Sequence, residues 1–413
     1  MPSGPTFVIV GASLAGARAA EALRTEGFEG QIVLIGHERH YPYERPPLSK
    51  GYLLGSEGRD SIFVHEDGWY AEHGVDLRLG AGVTAIDREL RQLTLSTGET
   101  VGYDKLLLTT GATPTLLLVP GAGANGVQYL RSVDDSERLR ETLSSASSVV
   151  IVGAGWIGLE VAAAARNAGV ATTVVSLDEQ PLLPVLGPEV APVFADLHRE
   201  HGVDLRLGTE VDRILVSADA ATGVRLADGT ELSADAVIVG IGVTPAAELA
   251  QAAGLGVDGG VLTDAGLRSS DPDIFAAGDV ARAYHPLVGT RLRVEHWANA
   301  RHQPVAAARS MLGQDVAYDR LPYFFSDQYD LGMEYTGYVA PDGYDRVVFR
   351  GDVGKREFVV FWLSHGLVLA GMNVNIWDVA DDIRDLIRDG LPVDPERLAN
   401  PDIPIPDTRA KRS

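Results

Sequence analysis

Two stretches of the chain share one pattern, a run of aliphatic residues followed by a glycine-rich turn and an Ala-rich segment of helical character. They read FVIVGASLAGARAA over residues 7–20 and VVIVGAGWIGLE over residues 149–160. The second has the full spacing Gly153-x-Gly155-x-x-Gly158. There the first glycine allows a tight turn, the middle one lets a pyrophosphate approach the backbone, and the third lets the helix pack on the strand. Each stretch predicts a strand, a turn and a helix start with phosphates at the helix N-terminus, so two bound dinucleotides are expected.

The first turn departs from the full pattern. It carries Gly11, Ser13 and Gly16, so serine replaces the middle glycine. A serine is small enough to lie near a pyrophosphate and can donate a hydrogen bond to it, although an ordinary strand-to-helix turn is the alternative. The next strand ends at His37 and Glu38, near the point where an acid usually binds a ribose hydroxyl. Glu38 is the candidate for that role, and a solvated loop acid is the alternative.

Composition narrows the class of protein. With 413 residues and 45% hydrophobic content the chain is long enough for two or three domains. No stretch reaches the roughly 18 apolar residues that a membrane span needs, and the apolar start runs directly into the first turn, unlike a signal peptide. We therefore expect a cytoplasmic protein that contacts no membrane. The net charge of −22 argues against a nucleic-acid partner.

Cysteine is absent from the whole sequence. This removes disulfides, thiolate nucleophiles, iron–sulfur ligation by the chain and Cys-type zinc sites. No metal site is expected.

Five motifs occur in order along the chain: GASLAGARAAEALR, YERPPLSK, LLLTTGATP, VGAGWIGLE and DIFAAGDVA. Together they resemble the FAD-dependent ferredoxin reductase family, of the putidaredoxin reductase and dioxygenase-reductase type, over nearly the whole length. The resemblance implies an α/β fold with two Rossmann-type dinucleotide-binding domains, glutathione-reductase-like but without redox cysteines, plus a C-terminal α+β domain. The implied domains are 1–112 with 241–318 for FAD, 113–240 for NAD(P)H, and 319–413 at the C-terminus.

The resemblance also implies cofactor-binding residues. The candidates for FAD are Gly11, Ser13, Leu14, Ala15, Gly16, His37, Glu38, Arg45, Lys50, Val83, Thr110, Gly111, Arg131, Gly278, Asp279, His296 and Trp297. The candidates for the nicotinamide nucleotide are Gly153, Gly155, Trp156, Ile157, Gly158, Glu160, Ser176, Asp178 and Gly242. His37 stands where the family commonly has an acid, which leaves Glu38 as its substitute.

Three of these residues are candidates for catalysis: Lys50 near the flavin ring, Glu160 near the nicotinamide, and Trp297 beside the isoalloxazine. Each has a plainer alternative. Lys50 could be a solvated loop residue, Trp297 a core tryptophan, and Glu160 an acid placed on the first turn of its helix, where the helix dipole favours it.

The strand that reads TTVVSLD over residues 172–178 bears on the choice of nucleotide. Ser176 replaces the family's usual acid, Asp178 follows it, and the next cation in the sequence is Arg199. A 2′-phosphate would meet negative neighbours, so NADH is expected, with NADPH as the alternative.

Electron transfer from NADH through FAD to an external [2Fe-2S] ferredoxin or rubredoxin is the implied function, serving a cytochrome P450 or ring-hydroxylating oxygenase. A flavin NAD(P)H oxidase or diaphorase, or a redox-sensing flavoprotein, is the alternative. An acidic ferredoxin would need a local basic patch on this acidic chain, for which Arg301, His302 and Arg309 are candidates and a solvated helix face the plainer interpretation. A monomer or weak homodimer is expected.

The segment from about residue 319 is richer in aromatic, alternating residues. Strands are predicted at 322–330, 346–350 and 358–363, in antiparallel arrangement, with a helix at 379–388. The final RAKRS, 409–413, is expected to be disordered.

Overall fold

The computed structural model describes residues 4–340 and 342–410. They form two compact units, each assembled from three chain segments. Unit 1 takes residues 1–44, 59–113 and 244–322, and unit 2 takes 45–58, 114–243 and 323–413, in both cases as far as they are described. The three domains predicted from the sequence stay a prediction. No helix in these described ranges is long and apolar enough to cross a membrane.

The strands are numbered along the chain. They are β1 (Thr6–Val10), β2 (Gln31–Ile35), β3 (Val75–Arg78), β4 (Val83–Asp87), β5 (Gln92–Leu95), β6 (Thr100–Gly102), β7 (Lys105–Leu108), β8 (Ala112–Pro114), β9 (Val127–Tyr129), β10 (Ser148–Val152), β11 (Ala171–Val175), β12 (Asp204–Arg206), β13 (Val211–Ser217), β14 (Ala220–Leu226), β15 (Glu231–Ser233), β16 (Ala236–Val239), β17 (Val243–Pro245), β18 (Val261–Thr263), β19 (Ile274–Ala276), β20 (Ala281–His285), β21 (Thr290–Arg293), β22 (Tyr323–Gln328), β23 (Leu331–Gly337), β24 (Arg346–Asp352), β25 (Glu357–Ser364) and β26 (Leu367–Val374).

The α-helices are numbered in the same way. They are α1 (Leu14–Thr25), α2 (Gly51–Leu54), α3 (Trp69–Glu72), α4 (Val133–Ser145), α5 (Trp156–Asn167), α6 (Leu183–Glu200), α7 (Glu248–Ala252), α8 (Trp297–Met311), α9 (Ala380–Asp389) and α10 (Pro395–Ala399). Short 3₁₀ helices cover Pro46–Ser49, Arg59–Ile62 and Ile405–Thr408.

Unit 1 is built on a parallel sheet in the order β19-β7-β1-β2-β3. The central strand β1 is buried on both faces: Phe7 and Ile9 lie in one apolar cluster, and Val8 and Val10 lie in the other. A strand buried on both faces needs a continuous run of apolar residues, which is what β1 has. Smaller sheets, β4-β5-β6 and β18-β20-β21, complete this unit.

Unit 2 repeats this arrangement with the parallel order β12-β11-β10-β16-β9. In β10, Val149 and Ile151 face one cluster, while Val150 and Val152 face the other. Each unit thus has a parallel sheet whose central strand leads into a helix. This confirms the predicted α/β class with two Rossmann-type folds.

The C-terminal part of unit 2 is an antiparallel sheet in the order β22-β23-β26-β25-β24, followed by α9 and α10. The predicted strands and helix of this region are confirmed with boundary shifts of a few residues. In the tail, Arg409 pairs with Asp389, so the expectation of disorder is wrong at this residue, and residues 411–413 lie outside the described residues.

Candidate functional site

The first glycine turn joins β1 to α1 in unit 1. Gly11 has φ +119°, and a Cβ there would lie 2.1 Å from the carbonyl oxygen of Thr109. A Cβ on Gly16 would lie 2.1 Å from the carbonyl oxygen of Gly11. Both glycines are therefore required by the turn itself. Ser13 is the N-cap of α1, but its side chain makes no capping hydrogen bond with the described residues.

The second turn joins β10 to α5 in unit 2 and has the same geometry at its ends. Gly153 has φ +109°, and a Cβ there would lie 2.3 Å from the carbonyl oxygen of Gly240. A Cβ on Gly158 would lie 2.1 Å from the carbonyl oxygen of Gly153. Gly155 differs, because its Cβ would meet no described atom within 4 Å. Open space beside a backbone at a helix N-terminus fits an approaching pyrophosphate.

Trp156 begins α5 directly after this turn. Its indole Nε1 is buried and has no hydrogen-bond partner among the described residues. Its ring packs edge-on against Phe194 and Phe324, which fixes its orientation. Most buried donors in folded proteins have an acceptor, so this indole N–H is an exception among the described residues.

The acids predicted for the riboses follow β2 and β11. Glu38 is half-buried and its Oε2 accepts a hydrogen bond of 2.5 Å from the Tyr43 hydroxyl, whereas His37 is exposed. A fixed, half-buried carboxylate favours Glu38 over a solvated loop acid. In unit 2, the buried Ser176 uses its hydroxyl locally, accepting from the backbone N–H of Asp178 at 3.3 Å, and Asp178 is exposed.

One cation near Ser176 escaped the sequence analysis. The backbone N–H of Ser176 donates to the carbonyl of Arg206 on the neighbouring β12 at 3.0 Å. Arg206, which is further along the chain than Arg199, therefore lies beside this strand end. Its Nε is 2.9 Å from the Asp204 carboxylate, which holds the guanidinium in a surface ion pair. Only strand pairing could have revealed Arg206.

Two further predicted motifs meet the first turn inside unit 1. Thr110 and Gly111 follow β7, and Gly278 and Asp279 follow β19, so both pairs lie at the carboxyl edge of adjacent parallel strands. The Cβ position of Gly278, which has φ +79°, is 3.3 Å from the Cβ of Ala15. The Gly278 N–H donates to Gln303 at 2.8 Å. Ligands of open parallel sheets bind at this edge.

Trp297 begins α8, with His296 as its N-cap. Its indole N–H donates to the Glu44 carboxylate at 3.0 Å, and the Arg301 guanidinium lies 5.0 Å from its ring centre. Trp297 is half-buried, with polar partners on its edge and on its face, which argues against the core-tryptophan alternative. Burial lowers the pKa of His296 to about 4, so this residue is neutral near pH 7.

Lys50 and Glu160 form a buried ion pair in unit 2. Lys50 Nζ lies 2.7 Å from Glu160 Oε1, and Glu160 is only 4% exposed. Ser49 donates to the other carboxylate oxygen at 2.5 Å, and Ser326 donates to Oε1 at 2.7 Å. The 5.5 Å distance from Lys50 Nζ to the Phe325 ring adds a cation–π contact. Lys50 is thus not a solvated loop lysine.

The placement of Glu160 on the first turn of its helix is wrong. Helix α5 begins at Trp156, so Glu160 lies in the second turn, and the first turn contains no acid. The favourable interaction between an acid and the helix dipole falls off beyond the first turn. It therefore does not explain why a carboxylate is found at this position. Ser49 and Ser326 were not among the residues predicted from the sequence. They come from distant segments, and an isolated serine gives no signal in a sequence.

The remaining candidates lie in these two units as follows. Arg45 donates to the backbone carbonyl of Arg131, and both belong to unit 2. Leu14 and Ala15 are buried at the start of α1, Val83 is half-buried at the start of β4, Ile157 is exposed on α5, and Gly242 follows β16 with φ +103°. Their contacts with a cofactor, and the position of Lys50 beside the flavin ring, stay predictions.

The predicted docking residues lie on α8 of unit 1. Arg309 pairs with Glu26 at 2.7 Å, so its charge is already matched. Burial, and then the charges of Arg320, Arg301 and Arg18, lower the pKa of His302 to about 4. Of these three arginines, Arg18 pairs with Glu21 at 2.6 Å, just as Arg309 pairs with Glu26. We therefore use the name arginine patch for Arg301 and Arg320. No group of three or more potential metal ligands occurs within the described ranges.

Comparison with known proteins places the chain in a family. The model for pyridine nucleotide-disulphide oxidoreductases matches residues 5–303, and the model for the reductase C-terminal domain matches residues 323–408. The chain belongs to the pyridine nucleotide-disulphide oxidoreductase family.

Its relatives are named as ferredoxin reductases. The ferredoxin–NAD(+) reductase component of the anthranilate 1,2-dioxygenase system of Burkholderia cepacia is 41% identical, covering 97% of this chain and 98% of the relative. Putidaredoxin reductase CamA of Pseudomonas putida is 39% identical over 98% of this chain and 97% of its own. A solved covalent putidaredoxin reductase–putidaredoxin complex matches with a TM-score of 0.94 and 39% identity, over 97% of both chains. The predicted resemblance is confirmed.

Proposed function

We propose that the chain is an FAD-containing, NADH-dependent ferredoxin reductase of the cytoplasm. It takes electrons from NADH and delivers them through FAD to a [2Fe-2S] ferredoxin that feeds a cytochrome P450 or a ring-hydroxylating oxygenase. Relatives named as ferredoxin–NAD(+) reductases and matched over almost their full length support this function. The cytoplasm is the proposed compartment because NADH is supplied there.

The observation that carries the proposal is the absence of cysteine from a member of a family named for disulphide chemistry. Disulphide reductases of this architecture pass electrons onward through a pair of cysteines. Without cysteines, electrons must leave from the flavin directly to an external acceptor. When bound, the flavin supplies the chemistry that this route needs, since it accepts a hydride and can release electrons one at a time.

The residues of unit 1 fit the FAD. The turn at Gly11 and Gly16 leaves no room for side chains and offers backbone N–H groups to the pyrophosphate. Glu38 is fixed for a ribose hydroxyl, and Asp279 lies at the same sheet edge for the ribityl chain. Trp297, which donates a hydrogen bond to Glu44, shields the isoalloxazine ring of the flavin from water.

The residues of unit 2 fit NADH. Gly155 leaves space for the pyrophosphate, and Asp178 is free to accept from the 2′-hydroxyl, with Arg206 neutralised by Asp204. The Glu160 carboxylate, fixed by Lys50, stabilises the positive charge that develops on a nicotinamide ring as its hydride departs.

The arginine patch fits an acidic ferredoxin. The charges of Arg301 and Arg320 both lower the pKa of the neighbouring His302, and the chain as a whole is strongly negative. Attraction of an acidic ferredoxin would therefore be local to this patch. Arg309, paired with Glu26, is left out of the proposed surface.

Anaerobic mixing of the holoenzyme with NADH or NADPH tests the electron donor. We expect the flavin absorbance to bleach rapidly with NADH and slowly with NADPH. Addition of a [2Fe-2S] ferredoxin, with cytochrome c as the final acceptor, should then restore the oxidised flavin in repeated turnovers. Failure to reduce any [2Fe-2S] ferredoxin or rubredoxin while the flavin bleaches normally would remove the proposed acceptor. Comparable turnover with oxygen or quinone alone would favour an oxidase.

Charge reversal in the arginine patch tests the docking surface. Arg320→Glu should raise the KM for ferredoxin about tenfold without changing flavin bleaching by NADH, because Arg320 is exposed and rim charges act on encounter. Lys355→Glu is a matched control, since Lys355 is 73% exposed and lies outside this patch. Equal effects of the two variants would show that only net charge matters.

A further inference from the structure

A chain of buried polar side chains runs from Glu160 to α6. Ser326 donates to Glu160 Oε1 at 2.7 Å, Gln328 Nε2 donates to Ser326 Oγ at 3.1 Å, and His198 Nε2 lies 2.9 Å from Gln328 Oε1. Ser326 and Gln328 are 1% exposed, and His198 is fully buried. The chain joins α5, β22 and α6 within unit 2.

The hydrogen bonds of this chain have one direction. Burial lowers the pKa of His198 to about 4, so near pH 7 the ring is neutral and carries one N–H. His198 Nε2 faces Gln328 Oε1, which can only accept, so Nε2 carries the hydrogen and Nδ1 accepts from the Tyr329 hydroxyl, 3.4 Å away. Gln328 then accepts on its oxygen and donates from its nitrogen to Ser326. Every donor points toward Glu160.

This direction fixes the hydroxyl of Ser326. A serine hydroxyl rotates freely and can donate either way along a chain. Because the Gln328 N–H₂ group occupies one side of Ser326 Oγ, the serine hydrogen is left to point at the carboxylate. Bonds aligned in a series also polarise one another, which strengthens the last one.

Packing alone gives no reason for polar residues here. The surrounding cluster of unit 2 is apolar and includes Phe194, Met333 and Met372. A hydrophobic residue at position 328 would avoid the cost of burying an amide. We therefore look for the reason for this polar chain at its end, where Ser326 binds the carboxylate of Glu160.

We propose that Ser326, Gln328 and His198 are positioning residues that hold the Glu160 carboxylate in the orientation needed for hydride departure from NADH. This inference rests on the proposed role of Glu160. Lys50 and Ser326, the last member of the chain from His198, both bind Oε1 of this carboxylate, and Ser49 binds Oε2. When the chain is interrupted, Ser326 can turn away and the negative charge loses its fixed place.

Gln328→Met tests the link, because methionine matches the shape of glutamine but neither donates nor accepts strongly. In the holoenzyme, we expect the rate of flavin reduction by NADH to fall about tenfold, while the KM for NADH changes less than twofold. Binding of NAD⁺, measured by titration calorimetry without turnover, should weaken about threefold, because the cationic ring loses an oriented anion.

Thr336→Val is the matched control for stability. Thr336 is 1% exposed on β23 of the same sheet, and the change also removes a buried polar group without altering shape. Both variants should lower the melting temperature, but only Gln328→Met should slow reduction. Equal slowing by both variants, or an unchanged rate in Gln328→Met, would overturn the proposal.

Glu160→Gln separates this inference from the proposed function. If it slows reduction about 100-fold and Gln328→Met has no effect, the positioning chain is wrong and the role of Glu160 stands. If Glu160→Gln leaves the rate unchanged, that role fails together with the chain. Should Gln328→Met not fold, Ser326→Ala and Ser326→Thr measure the same link: the alanine variant should be slow, and the threonine variant, which keeps the hydroxyl, should recover most of the rate.

Discussion

The two glycine turns of this chain have the same backbone and different middle residues. In both, the first glycine has a left-handed φ, and a Cβ on the third would lie 2.1 Å from the carbonyl oxygen of the first. Both turns lead into helices of 12 residues, α1 and α5. The middle position is Ser13 in unit 1 and Gly155 in unit 2.

The outer and the middle glycines of these turns are present for different reasons. The outer glycines are needed by the protein, since their missing side chains would overlap backbone atoms. Gly155 has no such reason, because its Cβ would enter open space and its φ of −82° is available to any residue. A glycine without a structural need, at a helix N-terminus, indicates that a ligand uses the space. Ser13 shows that the fold tolerates a side chain at this position.

The largest effect is expected at the third glycine. Gly158→Val in unit 2 and Gly16→Val in unit 1 force a branched side chain into a backbone carbonyl, which should cost about 4 kcal/mol or more. Melting temperature and soluble yield measure this cost. Gly123→Ala is the control, since no described atom lies within 4 Å of its Cβ position and its φ is not left-handed. A stable Gly158→Val protein would contradict the structural requirement.

The middle glycine should behave in the opposite way. Gly155→Ala is expected to leave the melting temperature within a few degrees of the parent, because the new methyl group meets no protein atom. Affinity for NADH should fall about tenfold or more, as the methyl group occupies the pyrophosphate position. FAD content serves as the internal control, because it reports on unit 1. Unchanged NADH affinity would mean that the ligand does not approach Gly155.

The ribose acids extend the comparison to the second strand of each unit. Asp178→Asn should raise the KM for NADH about fivefold, since one carboxylate hydrogen bond is lost. The preference for NADH over NADPH should become smaller, because repulsion of a 2′-phosphate falls. Steady-state kinetics with both nucleotides measure the change. Glu179→Gln removes the same charge from the next residue and is the matched control. Equal changes from both variants would assign the preference to general charge and not to Asp178.

Much of this could be predicted because it is local in sequence. The turns, the parallel sheets and the antiparallel C-terminal strands follow from short apolar runs and glycine spacing. The contacts that were missed are non-local. Ser49 and Ser326 meet Glu160 only in the folded unit, and Arg206 reaches Ser176 only through strand pairing. Arg309 looked available for docking because its partner Glu26 lies on another part of the chain. Spacing along a chain carries little information about such partners.

The smallest effect is expected at Ser13. Ser13→Gly gives unit 1 the middle residue of unit 2, and because the serine makes no capping bond with the described residues, stability should change by only a few tenths of a kcal/mol. FAD affinity should fall about threefold if the hydroxyl donates to the pyrophosphate. Dissociation of FAD, followed by the rise of its fluorescence on dilution, measures this contribution. Ser13→Ala, which keeps the Cβ and removes the hydroxyl, should weaken FAD binding equally. If only Ser13→Gly weakens it, backbone flexibility is responsible, and the serine replaces glycine without adding a contact.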